Sequence, residues 1–558
     1  MIIQADRVEN MAELATDVCI IGSGAAGITL ALELRRHNVS AVVLTGGRLR
    51  ETSRDRDLYR GAPDPECPHE PLEENRRRAF GGTTSAWGGR CVPLEPIDFD
   101  QRPWVPNSGW PISYGEVRPY FDRAMELCEA GPFSFDAADT FGPDRASMIS
   151  GFDDDDITTS RLERWSPPTN FAKRYMTDLR RAPGLRVLVG GHATDIQLEG
   201  DGTSVRRVQA TAGPGHSFFV AARLYVVAAG GLETPRLLLC SDEVHAKGIG
   251  NSADLVGRYY MSHLTGVAEK ITMAEPRPEL RSAFEKDADG VYCRRRFALT
   301  PHAQTIRQVG NAVATLHRPP ISNAMHRDPL FSAAFLLKHY RGIVGRKKLD
   351  AILAELRESR DVQLEHLKVI AAISPASAAA ILRVVRQRYF GKRRLPSVLA
   401  GPFAAEHYLS YQTEHAPNPA SQVSLASERD ALGMRRITVR PAFSDVDVRT
   451  VVELHRVIAS RFEQSGIGTV VFDERELNDY LADYIRQFNS QAHHLGTARM
   501  SVTPASGVVD GNCKVHDVRD LFVAGAAVFP AGGHANPTLT IVALAVRLAG
   551  HLNERLRS

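Results

Sequence analysis

Residues 17–47 read DVCIIGSGAAGITLALELRRHNVSAVVLTGG, and no other stretch limits the fold so much. The apolar run Val18–Ile21 meets a glycine turn, a helical pattern begins near Ala25, and a second apolar run ends at Leu44. That succession is a strand, a crossover helix and a parallel strand. Gly22, Gly24 and Gly27 stand in GxGxxG spacing at the first junction, the context in which the spacing has a mechanism. The first glycine makes a tight turn, the second lets the backbone approach a pyrophosphate, and the third lets the helix lie close on the strand. The helix N-terminus then faces the anion. A dinucleotide site is expected, with Ser23 and Ala26 as flanking contacts. Where an acidic residue usually meets the adenosine ribose, about 20 residues after the glycines, this chain has Thr45. A neutral hydroxyl is a weaker acceptor than a carboxylate.

The 558 residues suggest two to four domains at a prior of ~150 residues each. Hydrophobic residues make up 43% and charged residues 24%, values that exclude pervasive disorder. A net charge of +3 demands neither nucleic acid nor any strongly charged partner. The seven cysteines include no CxxC pair, so reduced structural thiols are expected. The first residues lack the basic region of a secretory signal, and no apolar run reaches the ~18 residues of a membrane span. A cytoplasmic protein is the expectation.

Further segments carry chemistry: FGGTTSAWGG (80–89), LYVVAAGGLETPRLLLCS (224–241), NSADLVGRYYMSH (251–263), HHLGTARM (493–500) and LFVAGAAVFPAGGHANPTLTIVALAVRLAG (521–550). Leu224–Ala229 and Leu521–Ala524 are apolar runs ending in glycine, as in buried parallel strands that feed a ligand turn. Beyond Asn536 the apolar residues take helical spacing, so a helix N-terminus, with its positive dipole end, should face the same ligand.

Together, and in this order, these segments resemble the glucose–methanol–choline (GMC) family of FAD oxidoreductases over nearly the whole chain. GGTTxxW, PWVPNSGWPISYGEVRPYFDRA (103–124) and GGxANPT look most like its branch containing pyranose oxidase and bacterial sugar dehydrogenases. The resemblance implies an α/β protein with a discontinuous Rossmann-type FAD domain from 1–90, 191–261 and 491–558. An α+β substrate domain with an antiparallel sheet would come from 91–190 and 262–490. It implies further cofactor contacts at Gly81, Gly82, Thr83, Ala229, Gly525, Ala526, Asn536, Pro537 and Thr538.

Oxidising an alcohol requires a base for the hydroxyl proton and an acceptor for the hydride; a neutral imidazole serves the first purpose and flavin N5 the second. Matching HxxGT and ANPT places the base on His493 and its partner on Asn536, with His494 as the adjacent competitor. His534 is read as a loop residue or one lining the pocket, and His263 as a packing residue or one near the cofactor. Some family members attach flavin through a histidine before the tryptophan; Ala86 stands there, so non-covalent FAD is expected. The substrate would be a carbohydrate-like alcohol and the electron acceptor oxygen, a quinone or a protein. A flavin-retaining lyase and a dehydrogenase of non-sugar alcohols are the alternatives.

Three features stay open. Gln412, Glu414 and Asn418 form a polar cluster suited to binding hydroxyls or to turn formation. Asp153–Asp156 reads as a solvated loop rather than a metal site. Segment 331–394 holds 14 basic against 5 acidic residues in largely helical sequence, a solvated face, a basic lid over an anionic or lipid-linked substrate, or a peripheral membrane contact.

Overall fold

The computed structural model describes residues 1–62, 69–275, 279–317, 324, 329, 331–333, 335–336, 360–372, 375–397, 406–486 and 493–558. Much of the basic segment 331–394, including its stretch 337–359, lies outside the described residues.

The fold is mixed α/β. Its larger sheet has eight strands. Strand β1 (Glu13–Ile21) pairs in parallel with β2 (Ala41–Thr45) on one side and β3 (His216–Val227) on the other. Strand β3 is long enough to serve two neighbours. Its first half pairs with the antiparallel strand Val205–Gly213, and its last three residues pair in parallel with β4 (Leu521–Val523). Register sets Ile21 beside Leu44 and Val227, and Val227 beside Val523. The turns after four sequence-distant strands therefore open at one sheet edge, the place where such sheets bind ligands.

Strand Leu185–Val189 corrects one expected boundary. It hydrogen-bonds in parallel to β2, so the large sheet takes in residues that the division at 190 gave to the substrate domain. The cause is local: the buried run Leu185, Val187, Leu188, Val189 matches an open sheet edge better than a surface loop.

Helix α1 (Ala25–Arg36) begins at the glycine turn, and its apolar face is buried against the sheet. Helix α2 (Tyr114–Leu127), capped by Ser113 with Glu116 reciprocating, and the C-terminal helix Thr538–Arg557 complete that layer. A second, six-stranded sheet is antiparallel throughout, with strand His263–Met273 between Gly468–Val471 and Glu406–Glu414. Helix Asp445–Ser465 covers it around its own apolar core. No helix among the described residues is long and apolar enough to cross a membrane.

Candidate active site

The turn after β1 is closed by backbone contact. Gly22 has φ +115°, and a Cβ there would sit 2.3 Å from the Ala228 carbonyl oxygen. Only glycine fits both conditions. Gly27 lies so close to the same turn that a Cβ would meet the Gly22 carbonyl oxygen at 2.0 Å. Gly24 differs: no protein atom lies within 4 Å of its would-be Cβ. Its open face borders a cavity of about 720 Å³, within the ~300–1,000 Å³ of small-molecule and cofactor sites.

The cavity runs from the strand ends to two imidazoles. Its wall takes in Gly22, Ser23, Gly24, Ala26 and Thr45, then Gly82, Thr83, Ala229, Gly525 and Ala526, and also His493, Asn536, Pro537 and Thr538. Gly27 and Gly81 are absent from the wall. Gly27 seats helix on strand, and Gly81, at φ +95°, turns the chain beside Ala172. Thr45 is buried, accepts a 2.6 Å bond from the Ser23 hydroxyl and donates to the Gly47 carbonyl.

The segment carrying His493 is stitched to three parts of the chain. Leu495 N donates to Met261 O, Gly496 N to Ala526 O, and the Thr497 hydroxyl to Gly231 O at 2.6 Å. Asn536 Nδ2 donates to His493 Nε2 at 3.1 Å. His493 Nδ1 and Asn536 Oδ1 are buried without a hydrogen-bond partner, as expected of groups that await a ligand. Desolvation, then His263, lowers the His493 pKa well below the usual imidazole range, so the ring is neutral at pH 7 and available as a base.

His494 also lines the cavity, but its Nδ1 is taken up by the Tyr260 hydroxyl at 3.0 Å. His263 stands edge-on to His493, ring centroids 4.9 Å apart. Its Nδ1 faces the Thr413 carbonyl, and burial lowers its pKa to about 3. His534 is buried behind the wall, with Arg296 3.4 Å from its Nδ1 and Glu95 3.7 Å from its Nε2.

The cluster in 412–418 is not part of the cavity wall. Glu414 is clasped by Arg102 at 2.8 and 2.6 Å, Gln412 donates to the His534 carbonyl, and Asn418 caps its own turn. Gln412 thus supports the loop before Asn536, and none of the three residues lines this cavity. Asp153 and Asp154 are occupied by Thr158, Thr159 and backbone amides.

Sequence reasoning missed the charged wall of the cavity. Arg76 and Arg78 both pair with Glu233, at 2.9 and 3.5 Å. Burial alone would raise Glu233, but Arg236, Arg76 and Arg78 outweigh it and hold the carboxyl near about 2. The run Arg76–Arg78 just before FGGTT was the available signal.

Comparison with known proteins agrees with this geometry. A family model described as GMC oxidoreductase matches residues 417–545. The fructose dehydrogenase large subunit of Gluconobacter japonicus is 24% identical over 611 residues, covering 96% of this chain and 97% of that protein. Paromamine 6'-oxidase of Streptomyces fradiae is 23% identical, covering 96% and 90%. An FAD-dependent oxidoreductase from Chaetomium thermophilum shares the fold, with a TM-score of 0.56, 16% identity, and coverage of 97% of this chain and 100% of that one.

Proposed function

We propose that the chain is an FAD-dependent GMC oxidoreductase acting on alcohols, as its matches suggest, and that it oxidises a carbinol of a sugar or glycoside to a carbonyl, with His493 as the base. The observation that carries the reading is the 3.1 Å contact of Asn536 with His493 Nε2 in the cavity that Gly24 also lines.

The residues present fit FAD. Gly24 offers an open backbone face, Gly525 another with no protein atom within 4 Å, and the unpartnered His493 and Asn536 atoms mark the far end. Ser23, Gly24 and Ala26 would hold the pyrophosphate at the N-terminus of α1; Thr45 would face the ribose. Gly82, Thr83, Ala229, Gly525, Ala526, Pro537 and Thr538 would line the flavin. The large sheet is then the Rossmann-type FAD domain and the antiparallel sheet the floor of the substrate domain. When bound, FAD supplies the hydride acceptor.

The protein residues do the rest. Asn536 Nδ2 donates into the lone pair of His493 Nε2, which leaves the ring proton on Nδ1. A substrate hydroxyl entering between them gives its proton to Nε2 while Asn536 donates to the oxygen as negative charge develops there. His263 holds the His493 ring edge-on, too weak a base to take the proton itself.

Anaerobic mixing with a panel of sugars and glycosides should bleach the yellow colour with at least one of them. Carbonyl release without bleaching would instead establish the lyase alternative. Ala86 lies in the cavity wall and bears no nucleophile, so the FAD is dissociable. Acid denaturation should release the chromophore into the supernatant, and a coloured pellet would refute this.

A further inference from the structure

Helix α3 (Pro375–Tyr389) and the turn after it carry basic charge with no acidic residue between them. From Pro375 to Arg394 there are six basic residues, Arg383, Arg386, Arg388, Lys392, Arg393 and Arg394, and no acidic one. Arg388 and Arg393 are used internally, donating to the Leu395 and Glu129 carbonyls. Arg383, Arg386, Lys392 and Arg394 are exposed and form no ion pair among the described residues.

The same element exposes large apolar side chains. Leu382 is 70% exposed, Tyr389 65% and Phe390 81%. At ~100° per residue, Leu382, Arg383, Arg386, Tyr389 and Phe390 fall within roughly 120° of arc. Val384, on the opposite side, is partly buried against the cluster of Trp165, Tyr292 and Leu395. The helix therefore has one seated face and one bare face, and the bare face mixes arginines with leucine and aromatic tips. A solvated helix has no use for the apolar tips, and a purely apolar protein interface would exclude unpaired arginines from its centre. An anionic bilayer surface satisfies both kinds of side chain at once, phosphates pairing with guanidinium while the apolar tips enter the acyl boundary.

We propose that the exposed face of α3, Leu382, Arg383, Arg386, Tyr389 and Phe390, is a docking surface for an anionic lipid bilayer. The position gives docking a consequence. Trp165, on which α3 is seated, lines the large cavity, as do Phe284, Pro396 and Ser397 just after the helix. The bilayer surface would lie across the helix from that wall, one helix diameter (~10 Å) away.

The test uses the flavin-loaded protein, sedimented with vesicles of phosphatidylcholine alone or mixed with phosphatidylglycerol. Recovery should be about tenfold higher with the anionic vesicles and fall as salt is raised. The pair Leu382→Ser and Phe390→Ser, and separately Arg383→Gln with Arg386→Gln, should each reduce recovery about tenfold. Bound flavin and turnover with a water-soluble acceptor should stay at the parent level. Equal recovery on neutral and anionic vesicles, absence of binding to either, or full binding by the serine pair would each overturn the proposal; the last two would favour an acidic protein partner and a simple charge contact, respectively. Vesicle recovery is read without turnover, so its failure is distinct from a failure of the proton-acceptor assignment.

Discussion

Two parts of the wall of the His493 cavity are built on opposite principles. At the Gly22–Gly24 end the chain offers backbone: glycines at strand ends, an open face over Gly24, and a helix N-terminus. Around the imidazole it offers side chains, His493 and Asn536, with His263 packed behind His493, each held by partners distant in sequence. Backbone recognition tolerates change only where an added atom has room. Side-chain chemistry depends instead on a supporting shelf, here the buried pair Arg102–Glu414, with both side chains 1% exposed.

The comparison breaks first at His493. His493→Ala should keep its flavin but reduce anaerobic bleaching by substrate ~10²–10⁴-fold; near-parental bleaching would remove the imidazole from the chemistry. Only the neutral ring accepts a proton, so activity falls as pH drops through its pKa. Because desolvation lowers that pKa, the acid limb of kcat/KM should lie below the ordinary imidazole value of about 6.5, and a limb at or above that value would contradict the assignment.

The shelf comes next. Arg102→Met strands the Glu414 carboxylate and should lower stability by about 3–5 kcal/mol, measured by denaturant unfolding of the flavin-loaded protein. A variant as stable as the parent would show that the reaction end does not lean on this pair.

A contrast of two glycines sharpens the other end. Gly24→Ala adds an atom where the protein has none, so folding should be spared while FAD affinity falls about tenfold. Gly22→Ala forces a Cβ against the Ala228 carbonyl and should prevent folding. Equal behaviour of the two in circular dichroism and flavin titration would erase the distinction. The smallest effect is expected from Thr45→Val, which costs the Ser23 hydroxyl its acceptor, about 1 kcal/mol in thermal or denaturant unfolding.

The periodic parts of the chain were readable in advance. The run Val18–Ile21 lies in β1, a helix does start at Ala25, and the C-terminal helix starts at Thr538, two residues beyond Asn536. Each is set by local apolar spacing and turn residues. The boundary near 190 was misplaced because whether Leu185–Val189 joins an edge depends on which strand lies there. His263 and the Arg76–Glu233–Arg78 wall escaped notice for a related reason: their roles exist only relative to residues more than 150 positions away.

By itself the sequence determined the glycine turn, the strand and helix that flank it, and the residue types available for proton transfer, because sterics and periodicity act over a few residues. Tertiary structure alone decided that His263 faces His493, that Glu414 supports the site instead of lining it, and that one face of α3 is left bare. Those outcomes are set by burial and by charge partners, and a side chain acquires both only when distant strands have come into register.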